Sequence, residues 1–483
     1  MSMFWRGLVG YLPANVVQGV VGLLSIVVFT RLLSPAAYGA YAVAFSAASL
    51  AHTLIFTWLE AAMARFYAQE AEAGRLEDHF GVIYRIFAAR AAGFLLVASI
   101  VAWLLPLGPD LKGAVAAGLL CVPLRSLAKL AQEHRRAAGR VRPSALLDIG
   151  QSSGAFVIGA GLALLGAGGA APLLGAGLAA IACAAFVLPG EIALARRGHF
   201  NRKRAVEYLH YGLPVSLSLI LSLALATTDR FMLAGFLSPA SVGVYHAGYS
   251  LSNRTLDVLF IWLGTAGGPA AIMALERGGM AALTETAREQ ASLMLLICLP
   301  AAAGIALVAH PLAALMVGEG LRDGAARVTP WIAASGLFAG LTTYYLHTAF
   351  ILGRRTRLLL VAMAIPAAAN FGLTLALIPR FGLDGAMWAT TASYAIGAVA
   401  SFALGRRAMP LPIPWDALVR CGLATAAMAI AVRLIPAFGG VGELFAKASV
   451  GVAVYGLCAF ALDASGVRSR RLQMVRALHG APA

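Results

Sequence analysis

Charge is what this chain has least of. Only 12% of its 483 residues are Asp, Glu, Lys or Arg, with 21 acidic residues against 37 basic ones, and a soluble domain carries about 25%. So low a density excludes a water-facing surface over most of the chain. Cysteine is also scarce. Cys121, Cys183, Cys298, Cys421 and Cys458 all fall inside apolar stretches, and their spacing matches neither a disulfide framework nor a metal site. Small buried apolar side chains are what they supply. There is no Walker loop, no HExxH, no GxSxG in a strand-turn-helix setting and no sizeable domain between apolar runs, so enzyme chemistry has little to stand on and no cofactor is implied. A membrane glycosyltransferase, polymerase or ligase would show a larger outward loop with acidic or histidine chemistry. The longest outward segment here, "HPLAALMVGEGLRDGAAR" (310–327), is short and of mixed charge, and its His310 stands alone.

Apolar residues make up 60% of the chain and the mean hydropathy is +0.82. A helix crossing roughly 30 Å of hydrocarbon needs about 20 apolar residues in a row. Residues 7–30, 32–59, 91–109, 231–253 and 291–318 contain no charged residue, and 149–190 contains none either, enough for two spans joined at "GAGGAAP". These runs lack the period-two alternation of a barrel. They predict an all-α integral membrane protein of about 14 transmembrane helices, of which the last two, near 418–435 and 444–463, are interrupted by Arg433 and Lys447. The first run is too long for a signal peptide and lacks a cleavage pattern, so it is expected to be retained.

The net charge of +16 would suggest nucleic acid in a soluble protein. Its distribution says otherwise. Most Lys and Arg fall on one set of alternate loops, including "HRRAAGRVR" (134–142), "RRGHFNRKR" (196–204), "GRRTR" (353–357), "GRRAM" (405–409) and "RSRR" (468–471). That asymmetry places those loops, and both termini, in the cytoplasm.

Two segments spell nearly the same fourteen residues: "LSPAAYGAYAVAFS" at 33–46 and "LSPASVGVYHAGYS" at 237–250. In each, Leu33 or Leu237 ends a span, Ser34 or Ser238 can cap the next helix, and Pro35 or Pro239 takes the first helical position, where no amide bond is lost. Gly39 and Gly243 permit close backbone approach, with Tyr41 and Tyr245 two residues on. "GR" at 139–140 returns at 353–354, and charge-mixed amphipathic segments follow the second span of each half at 65–80 and 274–289, suited to the membrane interface. Six spans separate the copies, so both hinges face outward and the halves are parallel repeats. The expected architecture is two pseudo-symmetric six-helix lobes plus two C-terminal helices: an N-lobe at 1–200, a C-lobe at 201–405, and helices 13 and 14 with a basic tail at 406–483.

Charged residues inside spans need a reason, since Arg or Asp at a helix centre costs about 2.5–3.5 kcal/mol on insertion scales. Arg254 and Asp257 lie about 20–24 Å along the eighth span and share a helix face. Asp229 and Arg230 lie towards the outer end of the seventh, and Arg31 towards the outer end of the first. Arg85, Arg90 and Arg125 sit near cytoplasmic ends, as snorkelling anchors do. Asn15, Gln18 and Asn370 are polar groups suited to a cavity or to bonds across helices. Asp148 and Glu60 stand near the cytoplasm, and Pro13, Pro214 and Pro366 can bend their spans.

The hinge segments, "TTDRFMLAGFLSPASVGVYHAGYSLSNR" (227–254) and "NFGLTLALIPRFGLDGAMWATTASY" (370–394), resemble the polysaccharide flippases of O-antigen type in the multidrug, oligosaccharidyl-lipid and polysaccharide exporter superfamily. The resemblance implies a bacterial inner-membrane exporter that moves isoprenoid-diphosphate-linked sugar units outward by alternating access for surface polysaccharide synthesis. Its partners would be that lipid-linked oligosaccharide, membrane lipids and other polysaccharide assembly proteins, and not nucleic acid. On this reading Arg254, Arg230 and Arg31 line a cationic cavity for the diphosphate, because guanidinium matches phosphate oxygens with paired bonds. Asn15, Gln18 and Asn370 join them as substrate contacts, and Asp257, Asp229 and Asp148 are ion-coupling candidates. The alternatives are a cation-coupled drug antiporter of the same superfamily and a non-transporting scaffold of an assembly complex.

Overall fold

The computed structural model describes residues 3–466 and Arg468. The basic tail expected beyond that point lies outside the described residues, among which there is no strand. The helices run α1 (Met3–Leu32), α2 (Pro35–Ile55), α3 (Thr57–Glu72), α4 (Leu76–Leu104), α5 (Pro109–Ala137), α6 (Val141–Leu164), α7 (Ala171–Ala185), α8 (Leu188–Arg197), α9 (Arg202–Phe236), α10 (Pro239–Leu307), α11 (Ala309–Met316), α12 (Glu319–Leu341), α13 (Thr348–Leu352), α14 (Thr356–Ala408), α15 (Trp415–Arg433) and α16 (Gly440–Ala461).

Ten helices are long and apolar enough to cross a membrane, and the bent pair α2–α3 makes eleven. Length then divides two of them. α10 has 69 residues and α14 has 53, which at 1.5 Å per residue is roughly 100 and 80 Å, far beyond one bilayer. Each doubles back at a glycine, Gly279 (φ 63°, ψ −154°) and Gly382 (φ 59°, ψ −131°), in a backbone region that only glycine occupies cheaply. α12, carried through a π-turn at Thr342–Leu346 into α13, supplies one more pass, held below the hydropathy of the others by Glu319, Arg322 and Asp323 in its first turns. The total is about 14, as expected from the apolar runs. Pro13, Pro214 and Pro366 lie inside α1, α9 and α14, which run on past them.

Backbone contacts divide the chain into one unit of Met1–His246 and another of Ala247–Ala483. The repeat boundary near residue 200 is a matter of sequence correspondence, and contact follows a different line: α9 packs on α2 and α3 inside the N-terminal unit.

In the N-terminal unit the core gathers Phe56, Trp58, Leu59, Met63, Phe80, Ile83, Phe87, Leu130 and Tyr208. Phe56 sits in the 46° break between α2 and α3, its ring 5.3 Å from Phe87 and 6.0 Å from Phe94. An aromatic plug, not a proline or glycine, sets this bend. The segment 65–80 makes the second half of α3, the short turn after it and the first turn of α4, with Glu70 and His79 buried. Arg75 Nε donates to Glu70 at 3.0 Å, Arg204 to Asp78 at 3.0 Å, and His79 Nδ1 and the Tyr208 hydroxyl share a 2.6 Å bond. Mixed charge here serves packing between elements. α8 is fastened the same way: the buried carboxylate of Glu191 takes bonds from Tyr84, from His134 at 2.7 Å and from Arg135 at 3.1 Å.

The hinges behave as their spelling predicts. Ser34 Oγ accepts from Ala37 N and Ser238 Oγ from Ser241 N, both at 3.2 Å, and α2 and α10 begin on Pro35 and Pro239. The copies also touch one another. A Cβ added to Gly39 would stand 1.6 Å from the Pro239 carbonyl oxygen and 2.8 Å from Gly243 N, and the His246 ring lies 5.5 Å from Tyr38 and 6.0 Å from Tyr41. Glycine recurs at this place because two backbones cross there without room for a side chain.

The C-terminal unit packs Leu256, Phe260, Leu263, Met294 and Cys298 around the facing side of α12. Ser252 Oγ donates to Thr329 O at 2.7 Å, and Gly340 gives way to the Phe260 ring. α15 and α16 pack on each other. Tyr455 donates to Leu296 O at 2.7 Å and Ser465 to Ser292 O at 2.9 Å, fixing the pair to the second arm of α10.

Candidate functional site

α5 carries polar residues at 125, 129 and 132, a spacing that puts them on one face of a helix. α6 does the same at 148, 151 and 152, and α2 at 49, 52 and 53. These faces meet. With Gln18 of α1 they enclose a cavity of about 490 Å³ in the N-terminal unit, lined by Gln18, His52, Arg125, Lys129, Asp148 and Gln151 among others. Counting 1.5 Å per residue, Arg125 is about 24 Å along α5 from Pro109, His52 about 26 Å along α2 from Pro35, and Asp148 about 10 Å along α6 from Val141. The cavity therefore lies towards the C-terminal ends of α2 and α5 and the N-terminal end of α6.

Its carboxylates are occupied. Asp148 is buried and accepts from Gln132 and, at 3.0 Å, from Arg136. Glu60, also buried, lies behind the wall and accepts from His52 Nε2 at 2.7 Å and Ser126 Oγ at 3.1 Å, tying α2, α3 and α5 across the Phe56 break. Lys129 is 3.3 Å from Glu133. Arg125 differs: half-buried, it makes no hydrogen bond or ion pair among the described residues, and its guanidinium sits 6.0 Å from the Phe45 ring centroid. The side-chain amides of Gln18 and Gln151 likewise have no partner among the described residues. One cation and two amides thus converge, unengaged, on a single chamber, a donor set fitted to an anion carrying hydroxyl groups. Among the described residues no group of His, Cys, Asp and Glu is placed to hold a metal, and the five cysteines are free thiols.

Of the residues singled out from sequence, Gln18 and Asp148 line this cavity. Arg125 does too, as a wall of the chamber where its position near a helix end suggested an anchor. Arg31 and Arg230 do not line it. Arg31 is exposed and donates to Val27 O at 2.8 Å. Arg230 is buried and donates to Ala226 O at 2.5 Å, while its neighbour Asp229 accepts from the Tyr245 hydroxyl of the second hinge at 2.6 Å. Asn15 is exposed on α1. Arg254, Asp257 and Asn370 belong to the C-terminal unit: Asn370 is buried, and Asp257 accepts from Asn253 at 2.6 Å rather than pairing with Arg254. Arg254 is exposed and forms no ion pair among the described residues. Arg85 donates to Gly198 O at 2.9 Å, and Arg90 lies over Trp58 at 5.8 Å. His52, Lys129, Gln132 and Gln151 were not foreseen; the helical spacing of polar residues on α2, α5 and α6 was the signal available.

The fold is that of the MOP-superfamily transporters. A lipid II flippase, MurJ, in an inward closed conformation superposes with a TM-score of 0.77 over 94% of this chain and 98% of its own, at 12% identity. An inward-facing multidrug resistance MATE family transporter gives 0.67 over 81% and 94%, at 15% identity. A MOP-superfamily transporter from Pyrococcus furiosus gives 0.55 over 83% and 92%, also at 15%. No curated protein matches the chain by sequence. A family model described as polysaccharide biosynthesis protein matches residues 28–323, more than half of the chain, and the protein belongs to that family.

Proposed function

We propose that this protein is a lipid-linked oligosaccharide flippase of the bacterial inner membrane, moving isoprenoid-diphosphate-linked sugar units from the cytoplasmic to the periplasmic leaflet for surface polysaccharide synthesis, with both termini in the cytoplasm. Family membership supports the pathway. The observation that carries the chemistry is the unengaged Arg125 guanidinium facing a polar chamber with Gln18 and Gln151. Arg125 takes the diphosphate through paired charge-assisted bonds, the amides take sugar hydroxyls, and the isoprenoid stays in lipid. Arg254, with the same chemistry and no ion pair, is the matching phosphate ligand of the C-terminal unit. An anion leaving a negative interior gains about 2.3 kcal/mol per charge per 100 mV, so the membrane potential can drive export. A cation-coupled antiporter using this chamber needs a carboxylate there free to exchange its ion, and Asp148 and Glu60 are both committed to donors.

Depletion of the protein in its host tests this. Diphospholipid-linked sugars are expected to accumulate in the inner leaflet while surface polysaccharide falls. If they do not accumulate and cationic compounds become more toxic, the antiporter reading replaces this one. If neither changes while assembly partners dissociate, the protein is a scaffold.

A further inference from the structure

A second cavity, of about 280 Å³, lies in the C-terminal unit where α14 ends and the linker to α15 begins. Its wall combines Arg406 and Phe402 of α14, Thr284 of α10, the linker residues Leu411 and Ile413, and Trp415 at the start of α15. Arg406 is held over the Phe402 ring, 5.8 Å from its centroid, and makes no ion pair among the described residues. A guanidinium stacked in this way is already ordered and keeps its donors for another ligand. The linker is stiff. It carries Pro410, Pro412 and Pro414 within five residues, and the Tyr345 hydroxyl donates to Pro412 O. Trp415 stands 63% exposed at the mouth, the placement of an indole at a membrane–water boundary, and the basic run at 405–409 puts this end on the cytoplasmic side.

A cation aimed into a cavity, apolar linker side chains beside it and an indole at the rim form a site for a phosphodiester attached to acyl chains. We infer that this cavity binds the headgroup of an anionic glycerophospholipid of the inner leaflet, with phosphate on Arg406 and the glycerol and first methylenes against Leu411, Ile413 and Trp415. The anionic leaflet supplies such lipids, and each basic residue near its surface adds attraction. Occupancy would brace α14 against α15 and so couple the two C-terminal helices to the twelve before them. The inference stands without the transport reading.

Full-length protein in detergent, titrated with phosphatidylglycerol, phosphatidylethanolamine or inorganic phosphate and followed by native mass spectrometry, tests it. Phosphatidylglycerol is expected to bind in preference to phosphatidylethanolamine and to resist displacement by inorganic phosphate. Arg406→Gln should weaken phosphatidylglycerol binding about tenfold, the loss of one charge-assisted contact. Arg407→Gln, at a neighbour exposed like Arg406 but not lining the cavity, should change it less than about twofold, since distributed surface attraction is weak. Arg406→Lys, which keeps the charge and loses the fork, should retain the preference with weaker binding. Equal losses in Arg406→Gln and Arg407→Gln, equal binding of both lipids, or an Arg406→Lys variant indistinguishable from wild type would overturn the inference. So would displacement of lipid by inorganic phosphate, which would make this a site for free anions.

Discussion

Gly39→Ala is expected to destabilise the protein and abolish its function, whereas Gly93→Ala should stabilise it slightly. Both glycines lie inside helices, where alanine is favoured by about 1 kcal/mol. Gly93 has nothing within 4 Å of an added Cβ, while the methyl at position 39 would fall 1.6 Å from Pro239 O. That oxygen belongs to backbone and cannot rotate away, so the crossing of the two hinge copies must open. Overpacking costs of about 1–3 kcal/mol or more are expected, and against immovable backbone they outweigh the helical gain. Thermal melts of the two purified variants, with polysaccharide output in cells, check the contrast. Equal melting temperatures would mean that the crossing is not a tight contact.

The second large effect is expected at Arg125. Arg125→Glu should reduce polysaccharide output about 100-fold or more at normal protein levels. The change removes a charge-assisted interaction worth about 1.5–3 kcal/mol and puts a like charge against the diphosphate. Arg125→Lys should retain part of the activity, because the charge persists while the bidentate fork is lost. Folding should survive both changes, since the one contact Arg125 makes to another element is the Phe45 ring, and among the described residues it has no hydrogen bond or ion pair to break. Asp148→Asn contrasts with it, since Asp148 joins Gln132 and Arg136 of α5 to α6. Quantifying polysaccharide and membrane-inserted protein in the same cells separates lost binding from lost folding.

The fold was legible because run length and repetition are one-dimensional signals. Uncharged stretches counted the passes, and the repeated hinge located a glycine whose crowding the structure confirms. The break at Phe56 was not legible: it has neither glycine nor proline and depends on the rings of Phe87 and Phe94, dozens of residues away. The site was legible only in part. Charge within the spans points to Arg31, Arg230 and Arg254, the first two of which donate to carbonyls of their own helices. Arg125 was passed over because it stands close to the basic end of its helix. What brings it to the chamber is the convergence of α1, α2, α5 and α6, and spacing along one helix shows which residues share a face but not which faces meet. The burial of Glu70 and His79 within 65–80 is hidden for a related reason, since Arg204 and Tyr208 of α9 pair with them from far along the chain.

The central claim is tested most directly by reconstituting the purified protein in vesicles holding a fluorescent isoprenoid-diphosphate-linked saccharide in one leaflet and measuring its exposure to a membrane-impermeant quencher on the other side. Wild-type protein should expose the sugar well above protein-free vesicles, faster with a potential that draws anions across, and Arg125→Glu should fall to the protein-free rate. Exposure no faster than in protein-free vesicles, or an Arg125→Glu rate equal to wild type, would contradict a chamber that carries the diphosphate on its free guanidinium.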